Sequence, residues 1–244
     1  MTASPHADLT GSVLRPVRGH HAFEACVEQL GTAIRLGVYP RGSTLPPERE
    51  LASRMSVSRA TLREAMAALR EAGLVETRRG RGGGTVVTLK PTVPSRASVR
   101  RHPAARRESW LDALDFRRIV EPGACALAAS TALSDASRRA LTEAHDAVAG
   151  AHQPAAHRQA DSRFHLTLAL VTGSPRTIEA VTSVQATLHE MLSAIPVLDA
   201  NIAHSDRQHA RIVRAVLAGR AADARRVMEE HCDDTAALLR GLVG

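Results

Sequence analysis

The sequence predicts a mainly α-helical protein in two parts: a three-helix unit with a β-hairpin, followed by an all-α helical bundle. Three observations predict this fold class. Apolar residues recur every three or four positions through most of the 244 residues. One glycine-rich stretch near residue 80, between two short β-rich segments, interrupts that pattern. A proline- and arginine-rich stretch over residues 90–108 then separates the two parts.

The first three helices have recognisable starts and stops. The first is expected over Phe23 to Val38, where apolar residues at spacings of three and four form one face, with Gly37 near its end. The second is expected to begin at Pro47, because the missing N–H of proline costs nothing in a first helical turn. The third is expected after Ser58, a good N-cap, and Gly73 is expected to stop it.

A β-hairpin is expected to follow the third helix. The segments Leu74 to Arg79 and Thr85 to Leu89 are β-rich and flank a run of glycines. Two short helices joined by a tight turn, with a hairpin beside them, are the layout of a winged helix-turn-helix. In that motif the start of the second helix of the pair enters the DNA major groove.

Composition divides the chain further. Residues 1–19 are expected to be a flexible arm, residues 20–89 the winged helix-turn-helix, and residues 90–108 a linker of prolines and mutually repelling arginines. Residues 109–244 are expected to be all-helical, and Pro122 is expected to kink or restart the first helix there. The helices are expected over 109–131, 135–150, 155–171, 175–194, 201–218 and 220–241.

The net charge of +7 is unevenly distributed. Residues 1–90 carry 13 basic and 8 acidic side chains, and residues 91–108 carry 5 and 1. Residues 109–244 carry 14 basic and 16 acidic side chains. A basic first part beside a slightly acidic second part indicates a polyanionic partner for the first part alone.

Cysteine content and hydropathy bear on the compartment. Cys26, Cys125 and Cys232 are odd in number and widely spaced, which suggests neither a disulfide framework nor a CxxC site. The first 19 residues contain no long apolar run, so no signal peptide is expected. No stretch approaches the roughly 18 apolar residues of a membrane span. A cytoplasmic, nucleoid-associated protein without membrane contact is the expectation.

Two arginines at the start of the third helix are the strongest candidates for reading DNA. Arg59 and Arg63 are four residues apart and share one helix face, and arginine can donate two hydrogen bonds to guanine O6 and N7. Ser58 and Thr61 can bond phosphates or bases beside the free N–H groups of the helix start. Arg49 on the preceding helix can contact the DNA backbone. Solvated arginines on an ordinary surface helix are the alternative.

The order of these motifs resembles the winged helix-turn-helix of GntR-family transcription regulators. The resemblance covers residues 22–88, including LPPERELA at 45–52 and VSRATLREAMAALREAGLVETRRGRGGGTVV at 57–87. It implies a set of DNA-contacting positions: Arg49, Ser58, Arg59, Ala60, Thr61, Arg63, Arg79 and Gly80. Ala60 has no polar side chain, so only backbone or methyl contact is possible there.

One carboxylate and three imidazoles in the second part are candidate ligands of a divalent metal. Asp161 and His165 are four apart in a predicted helix, so both project from one face. His209 and His231 lie in the last two predicted helices, which a bundle can bring to its centre. Such residues bind zinc, nickel or manganese. With 12 histidines in the chain, ordinary core or surface histidines are the alternative.

Residues 109–244 resemble the all-helical FCD ligand-binding domain of the FadR-like subfamily. The matching segments are DFRRIVEP at 115–122, DSRFH at 161–165, HARIVRA at 209–215 and MEEH at 228–231. The resemblance implies a metal held by Asp161, His165, His209 and His231, zinc foremost. It also implies that Arg117 pairs with the carboxylate of a small organic acid, whereas the residues alone favour a salt bridge from Arg117 to Glu121. Gly173-Ser174-Pro175 departs from the family's usual Gly-Asn.

These expectations combine into a homodimeric transcription regulator, most often a repressor in this family. Two winged units would bind a pseudo-palindromic operator in double-stranded DNA. A small carboxylate metabolite bound at the metal would control operator affinity. One alternative is a metal-sensing regulator without an organic effector. A more remote one is a metal-dependent hydrolase, since Asp and His ligands can activate water.

Overall fold

The computed structural model describes residues 22–78, 84–89, 103–193 and 199–243, together with residues 9, 12–14 and 16. The chain divides into two compact units, Met1–Val99 and Arg100–Gly244. Over residues 22–78 and 84–89 the first unit forms three helices and a hairpin, and over residues 103–193 and 199–243 the second forms six helices. The mainly α-helical fold with an N-terminal winged helix-turn-helix is therefore confirmed.

The helices of the first unit form where their start and stop signals lie. They are α1 (Ala22–Arg35), α2 (Glu48–Met55) and α3 (Arg59–Glu71). The Ser58 hydroxyl accepts a hydrogen bond from the Thr61 N–H at 3.0 Å, so the predicted N-cap of α3 is confirmed. Helix α1 ends three residues earlier than expected, and Gly37 follows it with a φ of 72°.

The wing is a two-stranded hairpin with one additional bridge from the segment before α2. Strand β1 (Val75–Arg78) pairs antiparallel with β2 (Gly84–Val87), so the predicted hairpin is confirmed with slightly shorter strands. Thr44, in the segment before α2, forms an additional antiparallel bridge with Val86. The Leu45 N–H donates to Thr85 O at 2.8 Å, and the Val87 N–H donates to Ser43 O at 2.9 Å. These bonds join the wing to the start of the helix pair.

The second unit is an all-α bundle, as predicted. Its helices are α4 (Pro103–Ser130), α5 (Asp135–Ala149), α6 (Pro154–Leu170), α7 (Pro175–Ser193), α8 (Asp199–Leu217) and α9 (Ala221–Val243). Phe164 of α6 packs with Ile212 of α8 and Met228 of α9 in the larger apolar core. A smaller cluster joins α4, α7 and α9. Ser174 caps α7 by accepting from the Thr177 N–H, so the unusual Gly-Ser-Pro turn ends in an ordinary helix start.

Helix α4 differs from the expectation at two prolines. It begins at Pro103, six residues before the predicted start, because a proline in the first turn has no N–H to lose. It also runs through Pro122, so a restart there was the wrong expectation. Pro122 is buried between Glu121 and Gly123, in a helix that packs along α9. Tertiary packing outweighs the local cost of proline at this position.

None of the helices in the described residues is long and apolar enough to cross a lipid bilayer. The three cysteines, Cys26, Cys125 and Cys232, are all free and buried.

Candidate metal centre and DNA-binding surface

The exposed face at the start of α3 carries the residues expected to contact DNA. Ser58, Arg59, Ala60 and Arg63 are exposed, and Thr61 is partly exposed. The hydroxyls of Ser58 and Thr61 lie 2.8 Å apart. The opposite face of α3 is buried against the unit's core through Leu62, Ala65, Met66 and Leu69. Packing therefore fixes which face of α3 is presented to solvent.

Three arginines on this surface are available to a ligand. Arg49, Arg59 and Arg63 make no salt bridge or side-chain hydrogen bond with any residue of the described segments. Arg54 on α2, by contrast, pairs with Glu50. A guanidinium without an ion pair can bond to a phosphate or a base without first breaking an existing interaction. Arg79 and Gly80, the other two predicted contacts, lie outside the described residues.

The second unit brings three histidines together from three helices. His165 of α6, His209 of α8 and His231 of α9 are all buried, and each offers a ligand atom within 4.8 Å of the others. Asp161, one turn before His165, places Oδ1 3.5 Å from Nε2 of His209. The four residues that sequence alone could link only loosely thus lie at one place.

The electrostatics of this cluster keep two imidazoles neutral. Burial lowers the pKa of His209 and of His231 well below the usual value for histidine, and the neighbouring His165 and Arg117 lower both further. Within the described residues, Nε2 of His165 and Nδ1 of His209 make no hydrogen bond. Buried polar atoms are nearly always paired. Buried imidazoles with unpaired nitrogens, beside a carboxylate, fit the ligand set of a zinc-like ion.

A buried carboxylate that sequence reasoning did not select lies next to the histidines. Glu121 Oε2 is 2.9 Å from Nε of Arg117 and 3.0 Å from Nδ1 of His165, while Gln185 donates to Oε1 at 2.6 Å. Burial alone would raise the pKa of Glu121, but the Arg117 charge and the other contacts outweigh it and hold that pKa well below its usual range. Glu121 is therefore an anion that neutralises Arg117 and faces His165.

Arg117 is the buried cation of the site. Its side chain is 1% exposed and its Nε pairs with Glu121, as the simpler alternative expected. Its Nη1 makes no hydrogen bond with any described residue, and Arg117 also lines a cavity of the unit. Arg117 thus combines a buried guanidinium nitrogen without a partner with a position beside the cavity.

Gln208 orients one histidine of the cluster. Its Oε1 lies 3.1 Å from Nδ1 of His231, and its Nε2 donates to Asp234 at 2.7 Å. A carbonyl oxygen can only accept, so Nδ1 of His231 carries the proton and Nε2 keeps its lone pair. Such a partner behind a ligating imidazole fixes its tautomer. No spacing signal in the sequence marks Gln208 or Gln185, because neither amide belongs to a local motif.

The cavity beside this cluster has a volume of about 450 Å³. Its polar lining includes Arg117, Asp161, Gln208 and His231, and its apolar lining comes mostly from α7, α8 and α9. A concave site of this size with a few convergent polar groups is typical of small-molecule binding.

Both units of the chain are similar to known protein families. Residues 23–87 match the model of bacterial regulatory proteins of the gntR family, and residues 112–234 match the model of the FCD domain. The chain belongs to the GntR family and carries an FCD domain. A Mycobacterium gastri protein named HTH-type transcriptional regulator RmpR is 36% identical over 221 residues, covering 85% of this chain and 76% of that protein. The Glc operon transcriptional activator of Escherichia coli K12 is 29% identical over 221 residues, covering 85% of each chain.

Solved structures agree at the level of the fold. A GntR transcriptional regulator from Rhodococcus sp. RHA1 has a TM-score of 0.51 at 24% identity, covering 91% of this chain and 99% of that one. Escherichia coli McbR/YncC has a TM-score of 0.53 at 15% identity, with the same coverage. This GntR-family chain is a DNA-binding transcription regulator, and its relatives are regulators and not enzymes. The hydrolase alternative therefore has no support.

Proposed function

We propose that this GntR-family chain is a homodimeric repressor whose operator affinity is controlled by a small organic acid bound at a metal site in the FCD domain. One observation carries the proposal. Neutral buried histidines, a carboxylate and a buried arginine with a free Nη1 all meet beside one cavity. Each of these features is costly unless a ligand compensates it.

The residues that would hold the metal are Asp161, His165, His209 and His231. Three imidazole nitrogens and one carboxylate oxygen suit zinc, with nickel or manganese as alternatives. A bound divalent ion would supply a fixed positive charge that attracts a carboxylate. The desolvated, neutral state of His209 and His231 supports this role, because a metal ligand must be deprotonated.

Arg117 would hold the carboxylate of the effector. Its Nε is committed to Glu121, so the free Nη1 would donate one charge-assisted hydrogen bond instead of a full two-point clamp. The free donor is buried, and a hydrogen bond to an anion removes its desolvation cost. Because Glu121 touches both Arg117 and His165, it would keep the cation and the imidazole in fixed positions before ligand arrives.

The cavity favours an organic effector over a metal-sensing regulator. A metal ion needs no more space than its ligands enclose, whereas about 450 Å³ adjoins the histidines. The effector would act only through different affinities for two arrangements of the FCD helices.

An apolar stripe on α4 supports the homodimer. Phe116, Ile119 and Leu127 are 43%, 73% and 44% exposed and lie on one helix face, together with Gly123. Aligned large apolar side chains on the surface mark an interaction site. A second copy of the chain, related by two-fold symmetry, would cover the same stripe on its partner and present two α3 helices to a palindrome.

Electrophoretic mobility shift with operator fragments from the chain's own genomic neighbourhood tests the DNA-binding part. Arg59→Ala should weaken specific binding by about 1–3 kcal/mol if the guanidinium reads a base with two hydrogen bonds. Arg70→Ala, an exposed arginine in the last turn of the same helix, is the matched control and should change little. Equal losses from both substitutions would contradict a reading role for Arg59. Specific binding should also decrease when salt is raised.

A further inference from the structure

We infer that the effector is an amphipathic monocarboxylate, with a chain or ring of about six to ten carbons, and not a two- or three-carbon hydroxy acid. This inference rests on the proposed function, since it assumes that an acid binds beside the histidines. It adds the size and polarity of the part of the ligand that does not touch Arg117 or the metal.

The cavity extends along the helices away from the histidines. On α9 its lining runs from His231 to Leu238, and on α8 it runs from Gln208 back to Asn201. On α6 it runs from Asp161 back to Pro154. In each case the two end residues are seven positions apart, which corresponds to about 10 Å along a helix axis. The cavity is therefore an elongated space with the histidine cluster at its inner end.

The outer part of this space has an apolar wall built by three helices. It consists of Leu188 and Leu192 of α7, Ile202 of α8, and Ala237 and Leu238 of α9. These side chains offer dispersion contacts and no hydrogen bonds. A ligand that stays polar along its whole length would lose hydration there without compensation. The apolar wall is therefore suited to the hydrocarbon part of a ligand.

Several polar side chains that line the cavity are engaged with other side chains. His204 lies 2.8 Å from Asp234, and His157 lies 3.4 Å from Asp206. Gln208 is held between His231 and Asp234. Among the lining residues that the structure describes, the buried side-chain nitrogen without a partner is Nη1 of Arg117, at the inner end. One buried anchor at one end indicates one charged group on the ligand.

Arg158 is the group that could favour a different ligand. It lines the cavity, is partly exposed, and has no salt bridge within the described segments. It lies one turn closer than Asp161 to the outer end of α6, where solvent reaches it. A dicarboxylate that spanned the cavity could pair with both Arg117 and Arg158. Comparing a monoacid with a diacid of equal length therefore tests the number of anchors.

The volume supports the same size class. About 450 Å³ is the space that about 15 water molecules occupy in the liquid, whereas lactate has about six non-hydrogen atoms. A three-carbon acid would leave most of the cavity to water against leucine side chains. An acid with an apolar chain would displace that water, and each buried methylene would tighten binding about fourfold.

Titration calorimetry on the zinc-loaded full chain provides the test. The ligands are acetate, lactate, butyrate, hexanoate and octanoate, with suberate as the diacid that matches octanoate. We expect Kd to fall on the order of 100-fold from butyrate to octanoate, and suberate to bind more weakly than octanoate. Equal affinities for butyrate and octanoate, or tighter binding of suberate, would overturn the inference.

Two matched variants locate the effect. Leu192→Gln should weaken octanoate binding about tenfold or more and leave acetate binding unchanged, because only the long ligand reaches the wall. Leu170→Gln changes a leucine of similar burial outside the cavity and should leave both unchanged. If acetate and lactate bind but chain length has no effect, this inference fails and the proposed function stands. If no carboxylate binds at all, both fail.

Discussion

The buried pair of Arg117 and Glu121 should be among the costliest interactions of the bundle to break. Their side chains are 1% and 2% exposed, and Nε and Oε2 are 2.9 Å apart. Glu121→Gln removes the anion and leaves the guanidinium buried without a counter-charge, so we expect a loss of about 3–5 kcal/mol in the free energy of unfolding. Arg117→Met leaves Glu121 unpaired and should cost a similar amount.

The double variant distinguishes a charge pair from two independent contacts. With both charges removed, neither ion is left buried alone, so the combined loss should be at least about 2 kcal/mol smaller than the sum of the single losses. Arg118→Met is the control, because Arg118 is 39% exposed and pairs with Glu229 and Asp233 at the surface. Its loss should be under about 1 kcal/mol.

Urea unfolding of chelator-treated protein at pH 8 provides the measurement. Trp110 is the only tryptophan of the chain and lies on α4, partly buried against Leu114 and Leu239, so its fluorescence reports the second unit. A buried charge pair between Arg117 and Glu121 is ruled out if Glu121→Gln costs no more stability than Arg118→Met, or if the two single losses simply add in the double variant.

Three further outcomes are expected. His209→Gln should abolish stoichiometric zinc binding, measured by elemental analysis after dialysis, whereas the exposed His152→Gln should retain it. Metal-free protein should lose stability as pH falls below about 6.5, by up to about 1.4 kcal/mol per pH unit for each of His209 and His231. The sign follows because their lowered pKa keeps them neutral in the folded state while the unfolded chain takes up protons. Denaturation curves between pH 7.5 and 5.5 check this, and an unchanged midpoint would contradict it. Ile119→Glu should shift the chain toward monomer in light scattering, and the exposed Thr142→Glu on α5 should not.

The helices of the first unit were well predicted because capping and stop residues lie within a few positions of the helix ends. Ser58 caps α3 through a bond to a residue three positions on, and Gly73 ends it with a φ of 71°, so a short window of sequence contains both signals. The bridge from Thr44 to Val86 escaped prediction because it joins residues 42 positions apart without any side-chain pattern. The start of α4 at Pro103 was missed because three prolines in the segment indicated a break, and one of them opens a helix.

The candidate metal site also has a part that local sequence predicts and a part that depends on tertiary packing. Asp161 and His165 share a helix face, which spacing predicts, but their approach to His209 and His231 depends on how α6, α8 and α9 pack. The partners behind the ligands escaped prediction, since an amide such as Gln208 has no characteristic spacing. The sequence indicated Glu121 only as the salt-bridge partner of Arg117, four residues away on the same helix. Its burial against His165 is a tertiary contact that the sequence does not encode locally.

The bridge at Thr44 has a consequence for how binding sites of this regulator are composed. Because Ser43, Leu45 and Thr44 attach the wing to the segment that leads into α2, the wing and α3 are fixed on one rigid frame. In the proposed complex with DNA, the bases that α3 and the wing contact would therefore form a single unit of sequence with a fixed spacing. The distance between two such units is a separate property, governed by whatever joins the two copies. In the proposed dimer, the sequence of a half-site and the separation of the two half-sites could therefore change independently, one through substitutions in the first unit and the other through substitutions in the second.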